Sequence, residues 1–385
     1  MLTRRAILVT GGATLVVAGA GAGALALRAD LSAARRPWAA AGGSFGDARL
    51  DALAYAILAP NPHNMQPWRV RLNGDNALTL FADSKAMLPA TDPFNRQIVI
   101  GLGAFVELFR QAAAARGWSV AVTPFPEGEP QPVLDARPIA SMSLARDGQS
   151  VPDPLFGAAL HRRSARVPFD DRPLDEDALA RLGDATRFAN GETAFGSTVA
   201  ADRVAAIKAL ARLGWETEVA APAPHAESVR LTRIGGAEIN ASPDGVALGG
   251  PVMEAMRLAG LLSRPAMSDP TSRAHAETLD FYNGLIDASA GFGWLTTPGN
   301  SRIDQLNAGA DWVRINLAAT RTGIAMHPVS QTLQEFVEMA ALYRRTHRLL
   351  GVDAPAVVQG LFRFGYTKAP PPSPRWPLES RLIVT

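Results

Sequence analysis

Pro60-Asn61-Pro62-His63-Asn64-Met65-Gln66-Pro67-Trp68 is the stretch on which the reading of this chain turns. It gathers prolines, amides and an indole between two regular elements. Upstream, Leu50, Leu53, Ala54, Ile57 and Leu58 recur at helical spacing, and Pro60 stops that helix. Downstream, residues 68–72 and 77–81 read as a strand pair joined by the turn Asn73-Gly74-Asp75-Asn76. Asn64 and Gln66 each carry a donor and an acceptor on one planar group, which suits the edge of a heterocycle that carries both. The prolines stiffen that presentation. The same residues also suit a capped helix-to-strand turn in which Asn64 bonds its own backbone, and residue types alone leave both open.

A second stretch, His161-Arg162-Arg163-Ser164-Ala165-Arg166, sets three guanidinium groups and a hydroxyl beside the apolar Val167-Pro168-Phe169. Arginine recognises phosphate through paired hydrogen bonds, and serine adds a short neutral donor. An exposed charged turn would account for the arginines but not for their grouping with Ser164 beside an apolar run.

Around these two stretches the pattern mixes helices and strands. Residues 98–116 read as a long, nearly all-apolar helix, and a helix apolar all round is expected to be buried. Residues 119–122 and 139–144 read as strands. Further on, helices are predicted at 154–162, 176–186, 201–218, 271–289, 303–322 and 333–350, and strands at 292–295 and 357–364. The stretch 222–264 is irregular, with a short helix at 253–262. A proline-rich tail at 370–377 precedes Leu382-Ile383-Val384, which is suited to adding an edge strand to another half or subunit. Thr91, Arg96, Gly103, Ala104, Ala112, Ala113 and Gly117 recur 206 residues later as Thr297, Arg302, Gly309, Ala310, Ala318, Ala319 and Gly323. A duplicated half packed on its twin through small-residue helices would leave this trace.

Composition narrows the function. The 385 residues are 47% hydrophobic and 19% charged, which excludes disorder and collagen-like repeats. Lys plus Arg number 38 against 36 for Asp plus Glu, and Arg4 and Arg5 account for the excess. The neutral body lacks the electrostatic footprint of a nucleic-acid binder. There is no cysteine, so thiol nucleophiles, iron–sulfur clusters and disulfides are excluded. The histidines His63, His161, His225, His275, His327 and His347 show no metal-ligand spacing, and no metal is expected.

Thr3-Arg4-Arg5 followed by the uncharged, glycine-containing run 6–27 resembles a twin-arginine export signal, with Ala24-Leu25-Ala26 as a small-x-small cleavage site. Residues 28–48 read as a linker. Within them Gly42-Gly43-Ser44-Phe45-Gly46 matches the hydrolase nucleophile pattern by letter, but no strand precedes it to expose a strained serine.

The two central stretches together resemble the nitroreductase family of FMN-binding flavoproteins. The helix, the turn Ala59-Pro60-x-x-His63-Asn64-x-Gln66-Pro67-Trp68 and the strand resemble that family's isoalloxazine-contacting turn, and Arg162-Arg163-Ser164-x-Arg166 resembles its phosphate-side motif. Phe364-Gly365-Tyr366 with Pro374-Arg375-Trp376-Pro377-Leu378-Glu379 is similar to its closing segments. The resemblance spans residues 49–385. In ordinary members the arginine motif precedes the amide turn and FMN lies between the two chains of a homodimer; here the order is reversed. That resembles the Acg-like FMN-binding branch, a single chain with two nitroreductase-like halves.

The resemblance implies an α+β, nitroreductase-like fold, a mixed sheet flanked by helices, with the halves as an internal pseudo-dimer. Its divisions would be a signal at 1–27, a linker at 28–48, a first half at 49–150, and a second half at 151–385 with a lid at 222–264 and an extended tail. It implies a monomer with one noncovalent FMN. By carry-over, Arg162, Arg163, Ser164 and Arg166 match the phosphate and pyrimidine side, and Arg375 the C-terminal phosphate arginine. Pro60, Asn61, Asn64 and Gln66 match the turn that the other subunit supplies, although Asn61 and Pro62 stand where the family more often has serine and a small residue. Gly323 through Met326, His327 and Pro328 match the segment along the flavin's reactive edge. The function implied is an FMN-dependent oxidoreductase that transfers hydride or electrons, with a non-catalytic, flavin-sequestering protein as the alternative. No catalytic residue, electron donor or acceptor is assigned. The expected location is the periplasm or cell envelope, with membrane contact only through the signal and no nucleic-acid partner.

Overall fold

The computed structural model describes residues 19–148, 150–187 and 193–384. The paired arginines and most of the apolar run that were read as an N-terminal signal lie outside them. The fold is α+β. β1 (Trp68–Asn73), β2 (Ala77–Ala82), β3 (Trp118–Pro124) and β4 (Ala140–Arg146) form an antiparallel sheet in the order β1-β2-β4-β3. A second antiparallel sheet is made in the order β5-β8-β10-β9 by β5 (Ala194–Thr198), β8 (Gly291–Thr297), β9 (Ala325–Pro328) and β10 (Val357–Gly365). β6 (Thr232–Ile234) and β7 (Val246–Leu248) form a small parallel pair within the 222–264 stretch.

Arg96–Ala114 packs on the first large sheet and Arg302–Arg321 on the second, and these two long helices pack on each other; the second sheet also carries the helix Ala201–Ala220. Their starts are fixed by acidic side chains. Asp92 accepts from the backbone N–H groups of Gln97 (3.1 Å) and Ile98 (2.9 Å), and Ser301 with Asp304 forms a capping box. The helices meet backbone to backbone at the repeated glycines. A Cβ on Gly103 would stand 2.0 Å from the Leu306 carbonyl oxygen, and one on Gly309 would stand 1.9 Å from that of Ile100. The repeated arginines cross over reciprocally. Arg96 bonds Gln359 and Leu333 and pairs with Glu335, beside the second sheet, while Arg302 bonds the carbonyls of Phe94, Pro130 and Pro132, beside the first. Two aligned positions thus exchange the same kind of bond in opposite directions.

Several elements differ from expectation. The helix predicted at 154–162 is a single short turn, Phe156–Ala158. Beyond it residues 162–168 run without regular structure because their backbone is bonded elsewhere: Ala165 N–H donates to Met326 O, and Ala165 O and Val167 O accept from Arg363. The helix predicted at 333–350 begins only at Ala340. The stretch 28–48, expected as a linker, carries the helix Ser32–Ala40, whose Trp38 is buried. The stretch 222–264 contains helices Pro222–Arg230, Gly236–Ala241 and Pro251–Leu258 around the small parallel pair. Leu382 makes one parallel bridge to Val70, and Ile383 N–H donates to Val70 O at 2.7 Å, so the end of the chain joins the first sheet by a bridge and not by a full strand.

Candidate functional site

Four arginines predicted from sequence fall into two groups. Arg162, Arg163 and Arg375 surround the indole of Trp38, with guanidinium carbons 5.8, 4.8 and 5.6 Å from its ring centre. Among the described residues no carboxylate is paired with any of the three. Arg162 donates to Asn316 Oδ1 (3.0 Å) and Leu58 O (2.9 Å), Arg163 to Leu160 O, Arg162 O and Pro370 O, and Arg375 to Leu58 O, Ala59 O, Pro374 O, Asn64 Oδ1 and Ser373 Oγ. Neutral acceptors alone leave the charge uncompensated. Burial and the neighbouring Arg163 push the Arg162 pKa down to about 9, and burial with Arg162 and Arg163 pushes Arg375 well below the ordinary arginine value. Guanidinium groups keep their proton in proteins, so this unfavourable field calls for an anion. The Nε atoms of Arg162 and Arg375 are buried without a partner, which is the vacancy such an anion would satisfy. Ser164, beside them in sequence, is exposed.

The amide turn plays a different part from the one its residue types suggested. His63, Asn64 and Gln66 all take positive φ, at 47°, 56° and 53°, a conformation that costs a non-glycine residue free energy unless other bonds impose it. Those bonds are visible. Asn61 Oδ1 accepts from Gln66 N–H at 2.7 Å, and Asn61 Nδ2 donates to Ala59 O. Asn64 accepts from Arg375 and donates to Pro374 O at 3.1 Å. Gln66, fully buried, donates to Pro243 O at 2.7 Å and accepts from Trp376 N–H at 2.8 Å. The three amides are therefore committed to the turn itself, to the C-terminal tail and to the 222–264 stretch. Pro60 is buried at the start of the turn. Through these bonds Asn64 and Gln66 clamp the tail.

The second group centres on Arg166, for which no hydrogen bond or ion pair of the guanidinium is seen among the described residues. Its charge acts on His63, His327 and Tyr282, and the rings of Tyr282 and His327 lie 6.1 Å apart. Across the β9–β10 register His327 lies opposite Arg363, whose Nε donates to His327 Nδ1 at 3.0 Å. That bond makes Nδ1 the acceptor, so the neutral ring carries its proton on Nε2. Burial together with Arg363 and Arg166 keeps His327 well below the usual histidine pKa, and burial lowers His63 to about 4. Strand alternation separates His327 from its neighbours. Met326 packs with Phe362 and Phe364 in the core, so of Met326, His327 and Pro328 only His327 joins the arginines.

Tyr282, Arg363, Trp38 and Glu218 were not singled out from the sequence. Tyr282 accepts from Gln331 Nε2 at 2.9 Å and stacks on Trp215. Glu218, on helix Ala201–Ala220, accepts from Ser228 and Gln334, has no cationic partner among the described residues, and is pushed up to about 7 by burial. Arg363 had a readable signal, as the one charge in an apolar strand. Trp38 had none beyond its place beside Arg35 and Arg36.

The 222–264 stretch is bolted to this region. Pro243 O takes the bonds from Gln66 and Asn64, Asp244 accepts from Trp376 Nε1 at 3.1 Å, and Glu227 accepts from the N–H groups of Ala90 and Thr91. Two cavities of about 240 and 250 Å³ lie elsewhere, one lined by Gln334, Tyr343 and Arg344, the other between the two long helices near Gly103 and Leu306. Both fall below the usual size of a ligand site. Among the described residues no group of three acidic or histidine side chains is placed to hold a metal.

No protein-family model matches the chain. In sequence it is similar to the Uncharacterized protein Rv3127 of Mycobacterium tuberculosis (strain H37Rv), 28% identical over 344 residues, covering 87% of this chain and 92% of that one. It is similar also to the Putative NAD(P)H nitroreductase Rv3131 of that organism, 28% identical over 284 residues, or 73% of this chain and 76% of the other. A shorter match, 34% identical over 122 residues, joins 32% of this chain to 36% of the Putative NAD(P)H nitroreductase acg. A putative nitroreductase from Anabaena variabilis aligns over 81% of this chain and 82% of its own at 11% identity, with a TM-score of 0.41.

Proposed function

We propose that this chain is an oxidoreductase of the nitroreductase type that binds one FMN noncovalently. The observation that carries this reading is the uncompensated cation cluster of Arg162, Arg163 and Arg375 with its two orphaned Nε atoms, which fits a phosphate, set beside a sequence related to proteins named as nitroreductases. FMN, when bound, supplies reversible hydride and electron transfer. Arg162, Arg163 and Arg375 hold its phosphate, with Ser164 as a neutral donor. Arg166, with no guanidinium partner among the described residues, places a positive charge on the pyrimidine side. His327 offers an Nε2–H donor whose tautomer Arg363 fixes, and the Tyr282 hydroxyl, with Gln331 bonded to it, is a second polar group on a ring beside it. Asn64 and Gln66 act on the cofactor indirectly, by fixing the tail that bears Arg375.

The halves 49–150 and 151–385 form an internal pseudo-dimer in a monomer, a reading supported by the reciprocal Arg96 and Arg302 bonds and the facing glycines. Only the second half carries the arginine motif. One FMN per chain is therefore expected when the flavin released from purified protein is quantified against protein. Two per chain, or none from protein refolded with excess FMN, would overturn the assignment.

A second reading, that the protein stores FMN without turnover, is favoured by the closure of the 222–264 stretch over the amide turn through Pro243 and Asp244. Steady-state reduction of a nitroaromatic or quinone by the loaded protein separates the two. Export by a twin-arginine route is also part of the proposal, since a noncovalent flavin is best inserted before crossing and that route carries folded cargo. Replacing Arg4 and Arg5 with lysine keeps the charge and should hold flavin-loaded protein in the cytoplasm. Fractionation that still finds this variant outside argues for a general signal or an anchor.

A further inference from the structure

The helix Ser32–Ala40 lacks what a helix needs to stand alone. It has nine residues, no side-chain N-cap at Leu31, and a proline, Pro37, in its interior. A helix this short is marginal in water even with favourable residues, and an internal proline removes one of its few bonds. It is held from outside. Trp38 Nε1 donates to Ser373 O (2.8 Å), Arg35 Nε to Pro372 O (2.8 Å), Arg375 N–H to Ala34 O (2.8 Å), and Ala34 N–H to Asn240 Oδ1 (3.1 Å). Immediately after it comes Gly42-Gly43-Ser44-Phe45-Gly46. A side chain at Gly42 would meet nothing, whereas beyond it Arg116 donates to Gly43 O at 2.6 Å and Phe45 N–H donates to Asp51 Oδ1 at 2.6 Å. The helix is thus followed by one unhindered glycine, Gly42, with the chain anchored from Gly43 onward, and it is latched along its length to the tail.

What the latch holds in place is the Trp38 ring, over which the guanidinium carbons of Arg162, Arg163 and Arg375 lie. We propose that the helix Ser32–Ala40 is an autoinhibitory strap whose Trp38 indole occupies the anion position of the arginine cluster, so that a phosphate-bearing ligand binds only after the strap swings away about Gly42. Cation–π contact lets an aromatic ring stand in for an anion, but more weakly than a charged phosphate does. The three guanidinium groups therefore favour the ligand once it is present. Burial of those cations without a carboxylate, and the two unpartnered Nε atoms, are what a ring in the place of an oxyanion leaves behind. This inference rests on the anion-site reading above and adds its regulation.

The test uses the full-length, flavin-free protein. FMN association and dissociation are followed by stopped-flow fluorescence, and amide hydrogen exchange of residues 32–40 is measured with and without inorganic phosphate against chloride at equal ionic strength. If the open state is a minor one, about a tenth of molecules or fewer, Trp38→Ala tightens FMN binding about tenfold or more, through a faster association rate with dissociation unchanged. Arg35→Ala removes a latch bond and a positive charge. Charge loss alone would slow an anion, so faster association in this variant, about threefold with part of the latch gone, reports the latch. Phosphate and FMN each raise exchange in 32–40. Weaker or slower FMN binding by Trp38→Ala overturns the strap and makes Trp38 a cofactor contact. Unchanged binding by both variants overturns it too, while FMN binding to the parent protein leaves the functional reading standing. If the parent binds no FMN, the functional reading fails, and exchange in 32–40 that phosphate does or does not raise still decides the strap.

Discussion

Gly309→Ala is expected to lower the stability of the protein by about 3 kcal/mol or more, the upper end for overpacking. The new Cβ would be built 1.9 Å from the carbonyl oxygen of Ile100 and 3.0 Å from the Ala104 nitrogen. Both are backbone atoms of the facing helix Arg96–Ala114, and no rotamer change moves them aside. Relief requires the two long helices to separate, which opens the packing along their whole contact. Gly103→Ala meets the Leu306 carbonyl at 2.0 Å and is expected to do the same from the other side. Gly284→Ala supplies the contrast. It lies exposed in the helix Arg273–Asp287, its Cβ would meet nothing within 4 Å, and it should gain about 0.5–1 kcal/mol from helix propensity. Denaturant or thermal unfolding of the three variants decides the matter. A Gly309→Ala protein as stable as the parent would show that the two helices do not pack this closely.

Arg162→Ala and Arg375→Ala are each expected to weaken FMN binding tenfold to a hundredfold, the loss of about 1.5–3 kcal/mol that follows from removing a charge-assisted bond. Arg181→Ala, at an exposed position, serves as the control. Both buried arginines also serve the fold. Arg162 joins Asn316 to Leu58, and Arg375 joins the tail to Asn64, Leu58 and Ala59. Affinity must therefore be read beside the unfolding midpoint of the flavin-free variants. A phosphate role predicts an affinity loss in variants that remain folded at the assay temperature, with added inorganic phosphate competing against FMN in the parent. Equal FMN affinity in all three variants would remove the phosphate assignment.

Some of this was readable residue by residue. The run of residues 98–109, apolar but for Glu107, announced a buried helix, and all but one of the residues from Ile98 to Phe109 that carry apolar side chains are under 2% exposed. The strand pair 68–73 and 77–82 was set by alternation and by Gly74 at positive φ. The 206-residue repeat located the two glycines that touch and the two arginines that cross. Elsewhere local pattern misled. The helix expected at 154–162 is one short turn, and in the residues that follow it Arg363 and Met326, far along the chain, take the backbone bonds.

The amides show where the division falls. That Asn61, Asn64 and Gln66 would form a rigid polar turn follows from their own chemistry and the prolines around them, and the clustering of three arginines at 162–166 with a fourth at 375 is equally a matter of sequence. Whether an amide is free to meet a ligand depends on whether a partner has already claimed its donor and acceptor. For Asn64 and Gln66 the partners are Pro243, Pro374, Arg375 and Trp376, more than 170 residues away. The same holds for Trp38, an ordinary indole in an alanine-rich stretch until the tail and the arginine motif close around it. Side-chain type and periodicity are local properties and survive in the sequence; saturation of hydrogen bonds and cancellation of buried charge are set by groups brought together only when the chain has folded.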